Sequence, residues 1–198
     1  SVVEKYITAI GGEKALKAVK TSYTKATGTV QGMPMELHVK TTNTSKMKVE
    51  MMVMGMTMMK QLVNDKVGFV ENQGKKTVLE GEQLEAVKAN ANPFPELALA
   101  TKTGVTLLPI QSIDGKEAYG VKDGKKTYFF DTTTGLKVGI SQIVETNGQS
   151  MTQNISFSDY KEVKGIKVPH KTVMNVGIDI ELTTSEVKFN EGVTDADF

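Results

Sequence analysis

The side chains that could do chemistry are few, and their spacing builds no familiar reaction centre. The chain has two histidines, His38 and His170, and no cysteine. Without thiols there are no thiolate metal sites, Cys nucleophiles or redox motifs. His38 shares the parity of Glu36 and Lys40 in an alternating segment, which predicts a solvated surface histidine. His170 follows Pro169 in KVPHK and has no sequence neighbour suited to metal binding. Paired-histidine zinc motifs, a G-x-S-x-G elbow, a P-loop and a dinucleotide fingerprint are all missing. Carboxylates are numerous but fall mainly on polar parities or in turns. Two of them meeting in space, as in glycosidases, is the catalytic arrangement that sequence leaves open. The expectation is a chain with no catalytic residue, no metal site and no cofactor.

Methionine is the unusual residue. Nine of the eleven lie between Met33 and Met59, including the run MMVMGMTMM. Three uses compete for them. Met is a flexible, polarizable filler of cores, and the same adaptability suits a surface that accommodates variable apolar ligands. Thioethers also select Cu(I), and MGMTMM resembles a copper-trafficking segment, although strand alternation divides its sulfurs between two faces.

The charges exclude one class of partner. All 24 basic residues are Lys and oppose 23 acids, for a formal net charge of +1. Nucleic-acid readers need a basic excess and Arg forks, so nucleic acid is set aside. No apolar run approaches the ~20 residues of a membrane-spanning helix. The chain is expected to begin after any signal peptide, since it opens directly on a helical pattern.

The elements that must position these residues are mostly strands. VVEKYITAIGGEKALKAVK reads as two helical pieces broken at Gly11-Gly12. Val3, Tyr6, Ile7 and Ile10 lie on one face, and Ala15, Leu16 and Val19 on the next. From Thr21 the period becomes two. Met35, Leu37 and Val39 alternate with Glu36, His38 and Lys40, and Met47, Val49, Met51 and Val53 alternate with Lys48 and Glu50. Leu136, Val138 and Ile140 alternate with Lys137 and Gly139. Met151, Ile155 and Phe157 continue the pattern with a break at Gln153, and Ile178, Ile180 and Leu182 close it. Such alternation means antiparallel strands with one dry and one wet face. Turn signals ENQGKK, IDGK, KDGKK, TTTGL, TNGQ and VKGIK separate the runs, and GKKT recurs at Gly74–Thr77 and Gly124–Thr127, which suggests two similar hairpins. The count is roughly ten strands, enough for a large sheet that curls.

EGEQLEAVKANANPFPELALA interrupts the strands. Leu84, Val87 and Ala91 share a helical face, and Pro93 and Pro95 break the chain before a second helix carrying Leu97. A helical insert in a meander has to lie across a face or an open end of the sheet, either as a lid or as a seal on the core. Alternation and insert together nominate an apolar cavity lined by Met35, Leu37, Val39, Met47, Val49, Met51, Val53, Leu84, Val87, Phe94 and Leu97.

The order of elements resembles the bacterial outer-membrane lipoprotein carrier and lipoprotein-sorting family, the LolA/LolB-like fold. YITAIGGEKALKAVKT, IDGKEAYGV, YFFDTTTGLKVG, SDYKEVKGIKVPH and FNEGVTDADF resemble phrases of such envelope proteins and spread over nearly the full chain. The resemblance implies a mainly β fold across residues 1–198, as one domain. Its curled antiparallel sheet would form an incomplete barrel with an N-terminal helix and a central helical lid. It also implies a periplasmic or envelope-associated protein that is not an enzyme and holds an apolar small molecule or a lipoprotein acyl chain. Similar domains follow insulinase-type zinc peptidases as a noncatalytic C-terminal part, which implies as the alternative an interaction domain with an upstream peptidase partner.

Overall fold

A computed structural model describes residues 1–146, 149–175 and 177–198. Among these, helices α1 (Val2–Ile10) and α2 (Glu13–Lys17) precede strands β1 (Thr21–Val30), β2 (Met33–Thr42), β3 (Met47–Val53), β4 (Met56–Val63), β5 (Gly68–Asn72) and β6 (Lys75–Val78). Helices α3 (Gly81–Asn90) and α4 (Glu96–Leu99) follow. Then come β7 (Thr106–Ile113), β8 (Lys116–Asp123), β9 (Lys126–Asp131), β10 (Lys137–Thr146), β11 (Gln149–Val163), β12 (Ile166–Asn175) and β13 (Asp179–Phe189). They form one antiparallel sheet, β6-β5-β4-β3-β2-β1-β13-β12-β11-β10-β9-β8-β7, that does not close into a barrel. The described residues therefore hold thirteen strands against the roughly ten expected. The shortfall lies in brief or irregular strands such as four-residue β6, and β7, whose register slips around Pro109.

Turn chemistry sets the meander. Gln31-Gly32, Met54-Gly55, Gln73-Gly74, Asp114-Gly115 and Lys164-Gly165 each place both residues at positive φ. That is the type I′ geometry whose twist matches paired strands. Glycine at the second position accepts it without strain. The two GKKT strings do sit in hairpins, β5–β6 and β8–β9. The TNGQ turn falls on Asn147 and Gly148, outside the described residues.

The chain separates into two compact units, Ser1–Leu16 with Glu96–Glu181, and Lys17–Pro95 with Leu182–Phe198. In the first, α1 lays Val3, Tyr6, Ile7 and Ile10 against the sheet, as the sequence spacing predicts. Ser1 and Glu4 close a capping box at its start, and Tyr6 meets Phe130 at 5.2 Å between ring centres. Gly11 ends the helix at φ 147°, where a side chain would lie 2.9 Å from the Gly165 carbonyl oxygen. Buried apolar side chains of this kind contribute about 2 kcal/mol each before ordering costs.

One expectation fails in this unit for a definite reason. Lys137 pairs with Phe130, but Gly139 pairs with Phe129 and Ile140 with Tyr128, so Val138 is an extra residue in β10. This bulge reverses the parity. Lys137, read as wet, joins Ile140, Tyr128 and Phe130 on the dry face. Val138 turns to the opposite face, where it packs with Ala118, Phe129 and Ile113. The other irregular position, Gln153, stays on the apolar rung, where its oxygen accepts a hydrogen bond from the amide of Gln142 on the facing strand.

In the second unit the alternation holds. Unbroken β2–β3 pairing sets Met35 opposite Val53, Leu37 opposite Met51, Val39 opposite Val49 and Thr41 opposite Met47. The other face carries Glu36, His38, Lys40, Lys48, Glu50 and Met52. A bulge does occur beside the methionine run, but in β4: Met51 faces Met59 while Met52 faces Thr57, leaving Met58 extra.

Candidate ligand-binding faces

The second unit brings ten of the eleven nominated residues together; Leu97 belongs to the first. Met35 and Met47 are buried, whereas Leu37, Val39, Val49, Met51 and Val53 are half-buried. The unbroken register aligns all seven on one apolar face. Helix α3 stands over the same face. A side chain added at Gly68 would lie 2.4 Å from Leu84 Cδ1, with Val63 alongside, so glycine makes room for the helix. Gly68 pairs with Val63, which pairs with Met47, and this places Leu84 over the methionine face. Phe94 is buried and meets Phe189 at 5.8 Å. Phe189 pairs with Ser22, and Ser22 with Thr41, so this contact belongs to the same face.

The hold on α3 is light. No residue of the helix is buried, and its N-cap, Glu80, makes no side-chain hydrogen bond. Leu84 and Val87 are both half-exposed. A helix with its apolar side chains partly open to solvent lacks the burial that normally fixes a surface helix.

In the first unit the flipped Lys137 creates a buried polar cluster that sequence reading misses. Its Nζ forms an ion pair with Glu96 at the start of α4, and Glu96 is only 3% exposed. The same ammonium lies 5.6 Å from the Tyr6 ring centre and 5.0 Å from that of Phe157. Tyr160 donates a hydrogen bond of 2.8 Å to the Lys137 carbonyl oxygen. Burial pushes the Glu96 carboxyl up, but the charge and hydrogen bond of Lys137 outweigh it and hold the group below its ordinary value. Burial, reinforced by Glu96, pushes the Tyr6 and Tyr160 phenols well above theirs. Lys126, whose Nζ is 4.8 Å from the Tyr128 ring centre, is lowered to about 8 by burial first and by Lys137 second. Leu97 sits half-buried on α4 beside this cluster.

On the opposite face of the first unit is a cavity of about 320 Å³. Ile113, Val138 and Val173 give it apolar walls, and Ser156, Ser158 and Lys171 a polar rim. None of the nominated residues lines it. The Val138 bulge, invisible in the alternation, turns one of its walls inward.

His38 lies on the polar face as expected but is not simply solvated. Its Nδ1 is 3.0 Å from the Tyr23 hydroxyl and its Nε2 is 2.9 Å from Glu36, whose other oxygen meets Lys25 at 3.2 Å. The ring is held between a phenol and a carboxylate and is 21% exposed. His170 Nδ1 lies 2.9 Å from the Val168 carbonyl oxygen. Among the described residues no three His, Cys, Asp or Glu side chains gather to hold a metal ion. No helix there is long and apolar enough to cross a membrane, which says nothing of membrane β-barrels.

The arrangement of strands and helices is shared with other solved proteins. A Desulfovibrio piger protein of the DUF1329 family superposes with a TM-score of 0.60 at 11% identity, over 98% of this chain and 94% of its own. A LolA superfamily protein from Nitrosomonas europaea gives 0.58 at 12% identity, over 100% and 95%. A Vibrio parahaemolyticus domain assigned to outer membrane lipoprotein sorting gives 0.53 at 14% identity, over 98% and 96%. The chain has the LolA/LolB-like fold. No family model and no curated protein matches its sequence.

Proposed function

We propose that the chain is a noncatalytic, LolA-like binding domain of the bacterial envelope that shelters an apolar group, such as a lipid or a lipoprotein acyl chain, beneath α3. The observation that carries this reading is the pairing of a methionine-rich apolar face with a helix that has no buried residue. Displacing that helix costs little, and unbranched thioether side chains repack around ligands of different shape. The ligand would rest on Leu37, Val39, Val49, Met51 and Val53, with Leu84, Val87 and Phe94 closing over it and Met35 and Met47 as floor. Each methylene taken out of water contributes ~0.8 kcal/mol, so a chain of about a dozen supplies roughly 10 kcal/mol before ordering costs. The lipoprotein-sorting assignment of one fold neighbour supports the same ligand class.

The test is direct. Protein purified from an envelope fraction is extracted with organic solvent and the extract analysed by mass spectrometry, while stripped protein is titrated with palmitate. The expected result is an acyl lipid approaching one per chain and saturable palmitate binding that Met51→Asp abolishes. A clean extract together with no saturable binding rejects the proposal.

A further inference from the structure

We propose that one end of the second unit is a docking site for an anionic lipid surface, with Met33, Met54 and Met56 entering the headgroup–acyl boundary and Lys75 and Lys76 meeting lipid phosphates. This goes beyond the binding reading and does not depend on what the apolar face holds.

Three hairpin turns gather at that end. The backbone N–H of Met54 donates to the Pro34 carbonyl at 2.9 Å, tying β3–β4 to the start of β2. The N–H of Gln73 donates to the Met58 carbonyl at 2.9 Å, tying in β5–β6. Met33, Met54 and Met56 are 37%, 63% and 64% exposed, and Gln31, Gly32, Pro34, Gly55 and Thr57 beside them are exposed and uncharged. Across residues 31–35, 52–58 and 72–78 there is no carboxylate and the charges are Lys75 and Lys76; the nearest acid on that hairpin is Glu71, opposite Lys76. The body of the same sheet differs: Lys25 meets Glu36, Lys40 meets Asp197 and Lys48 meets Glu50. Charges that interrupt the strands every second residue are therefore absent where the turns expose methionine.

A bilayer fits this chemistry better than a folded partner. An exposed apolar patch marks a contact surface. Here it is made of unbranched side chains on two separate turns, which can enter among acyl chains. The neighbouring lysines supply the attraction to anionic headgroups that interfacial binding uses. Lys76 keeps its ammonium 3.9 Å from the Phe69 ring centre, so the basic rim stands on a packed side chain.

The chain contains no tryptophan, so Met54→Trp places a single indole at the tip. With vesicles of equal parts phosphatidylglycerol and phosphatidylethanolamine, its emission should shift to the blue and be quenched by brominated acyl chains. Ile110→Trp, also exposed but on β7 of the other unit, should show neither. In co-sedimentation, Met33→Gln/Met54→Gln/Met56→Gln should lower vesicle partitioning by about tenfold or more, and the corresponding Leu triple should retain it. Lys75→Gln/Lys76→Gln should weaken binding to these vesicles and not to phosphatidylcholine. Circular dichroism controls for folding. Any of three results overturns the proposal: no pelleting of the unmodified protein, equal partitioning of the Gln triple, or loss in the Leu triple, which would assign the methionines to sulfur chemistry. A dimer that the Gln triple dissociates, without vesicle binding, would assign the tip to a second copy.

Discussion

Replacing Lys137 with Met tests the buried cluster most sharply. The change keeps an unbranched apolar stem but removes the ammonium paired with Glu96. Glu96 is 3% exposed, so its carboxylate would remain buried without a counterion. Breaking a buried pair in this way costs about 3–5 kcal/mol. Glu96→Gln should cost less, about 1–2 kcal/mol, because Lys137 keeps the faces of Tyr6 and Phe157 at 5.6 and 5.0 Å. Removing both charges, with Glu96→Leu and Lys137→Met, should recover most of the loss, since apolar replacement of a whole buried pair is often neutral or better. The pH dependence has a definite sign. In the native protein Glu96 sits below the ordinary carboxylate value, so its contribution is present above that value and is lost as pH falls through the lowered one. In Lys137→Met burial, which raises the carboxyl, is opposed only by a backbone hydrogen bond and the charge of Lys126. The variant's deficit is then full above its own raised value, shrinks as pH falls through that value, and vanishes only once pH passes the lowered native one. Urea unfolding followed by circular dichroism at pH 7 and near pH 4 measures this directly. Equal, pH-independent losses for Lys137→Met and Glu96→Gln would refute the electrostatic account and leave packing alone.

Three further outcomes follow from the same geometry. Lys126, lowered to about 8, binds its proton less tightly when folded than when unfolded, so native stability should rise with pH between about 8 and 10.4. Lys126→Met should flatten that rise and gain up to about 2 kcal/mol at pH 7, discounting for partial exposure; an unchanged slope in thermal melts counts against it. Met51→Asp puts a carboxylate between Leu37 and Met59 and should cost about 3 kcal/mol, whereas Met52→Asp, between Glu36 and Thr57, should cost about 0.5. Equal melting temperatures would mean that both faces are dry. Gly68→Ala pushes against the flexible end of Leu84 and should cost about 1 kcal/mol while speeding hydrogen exchange in residues 81–90; unaltered exchange there would show that the helix does not rest on Gly68.

Where period two runs unbroken, one strand's residues reveal its face. The nominated residues of β2 and β3 share a surface because their register has no irregularity from Met35 to Thr41. The bulge beside them fell on β4, whose own run of methionines carries no charged residue to expose it. In β10 the same event reverses the reading. Leu136, Lys137, Val138, Gly139 and Ile140 look like clean alternation, and nothing in that string says that Val138 is extra. The cue is in the partner, where Tyr128, Phe129 and Phe130 supply large side chains to both faces of β9 and require β10 to serve both.

That one inversion hid the ion pair. While Lys137 reads as solvated, Glu96 in ELALA is one more helical acid, and nothing suggests that it is buried. Once Lys137 is turned inward, a buried carboxylate offsets the part of its desolvation that the Tyr6 and Phe157 rings do not. The first helical turn after Pro95 supplies it. The proline break that sequence reading used to separate two helices thus also fixes where α4 starts, and so which residue reaches Lys137. The same break explains Leu97: it shared an apolar insert with Leu84 and Phe94, but the chain passes from one compact unit to the other at Pro95. Periodicity ranks residues by polarity along a strand, whereas bulges and unit boundaries decide which neighbours they meet. A bulge misplaced Lys137 and the boundary at Pro95 puts Leu97 in the other unit, while Met35 through Val53 met neither event.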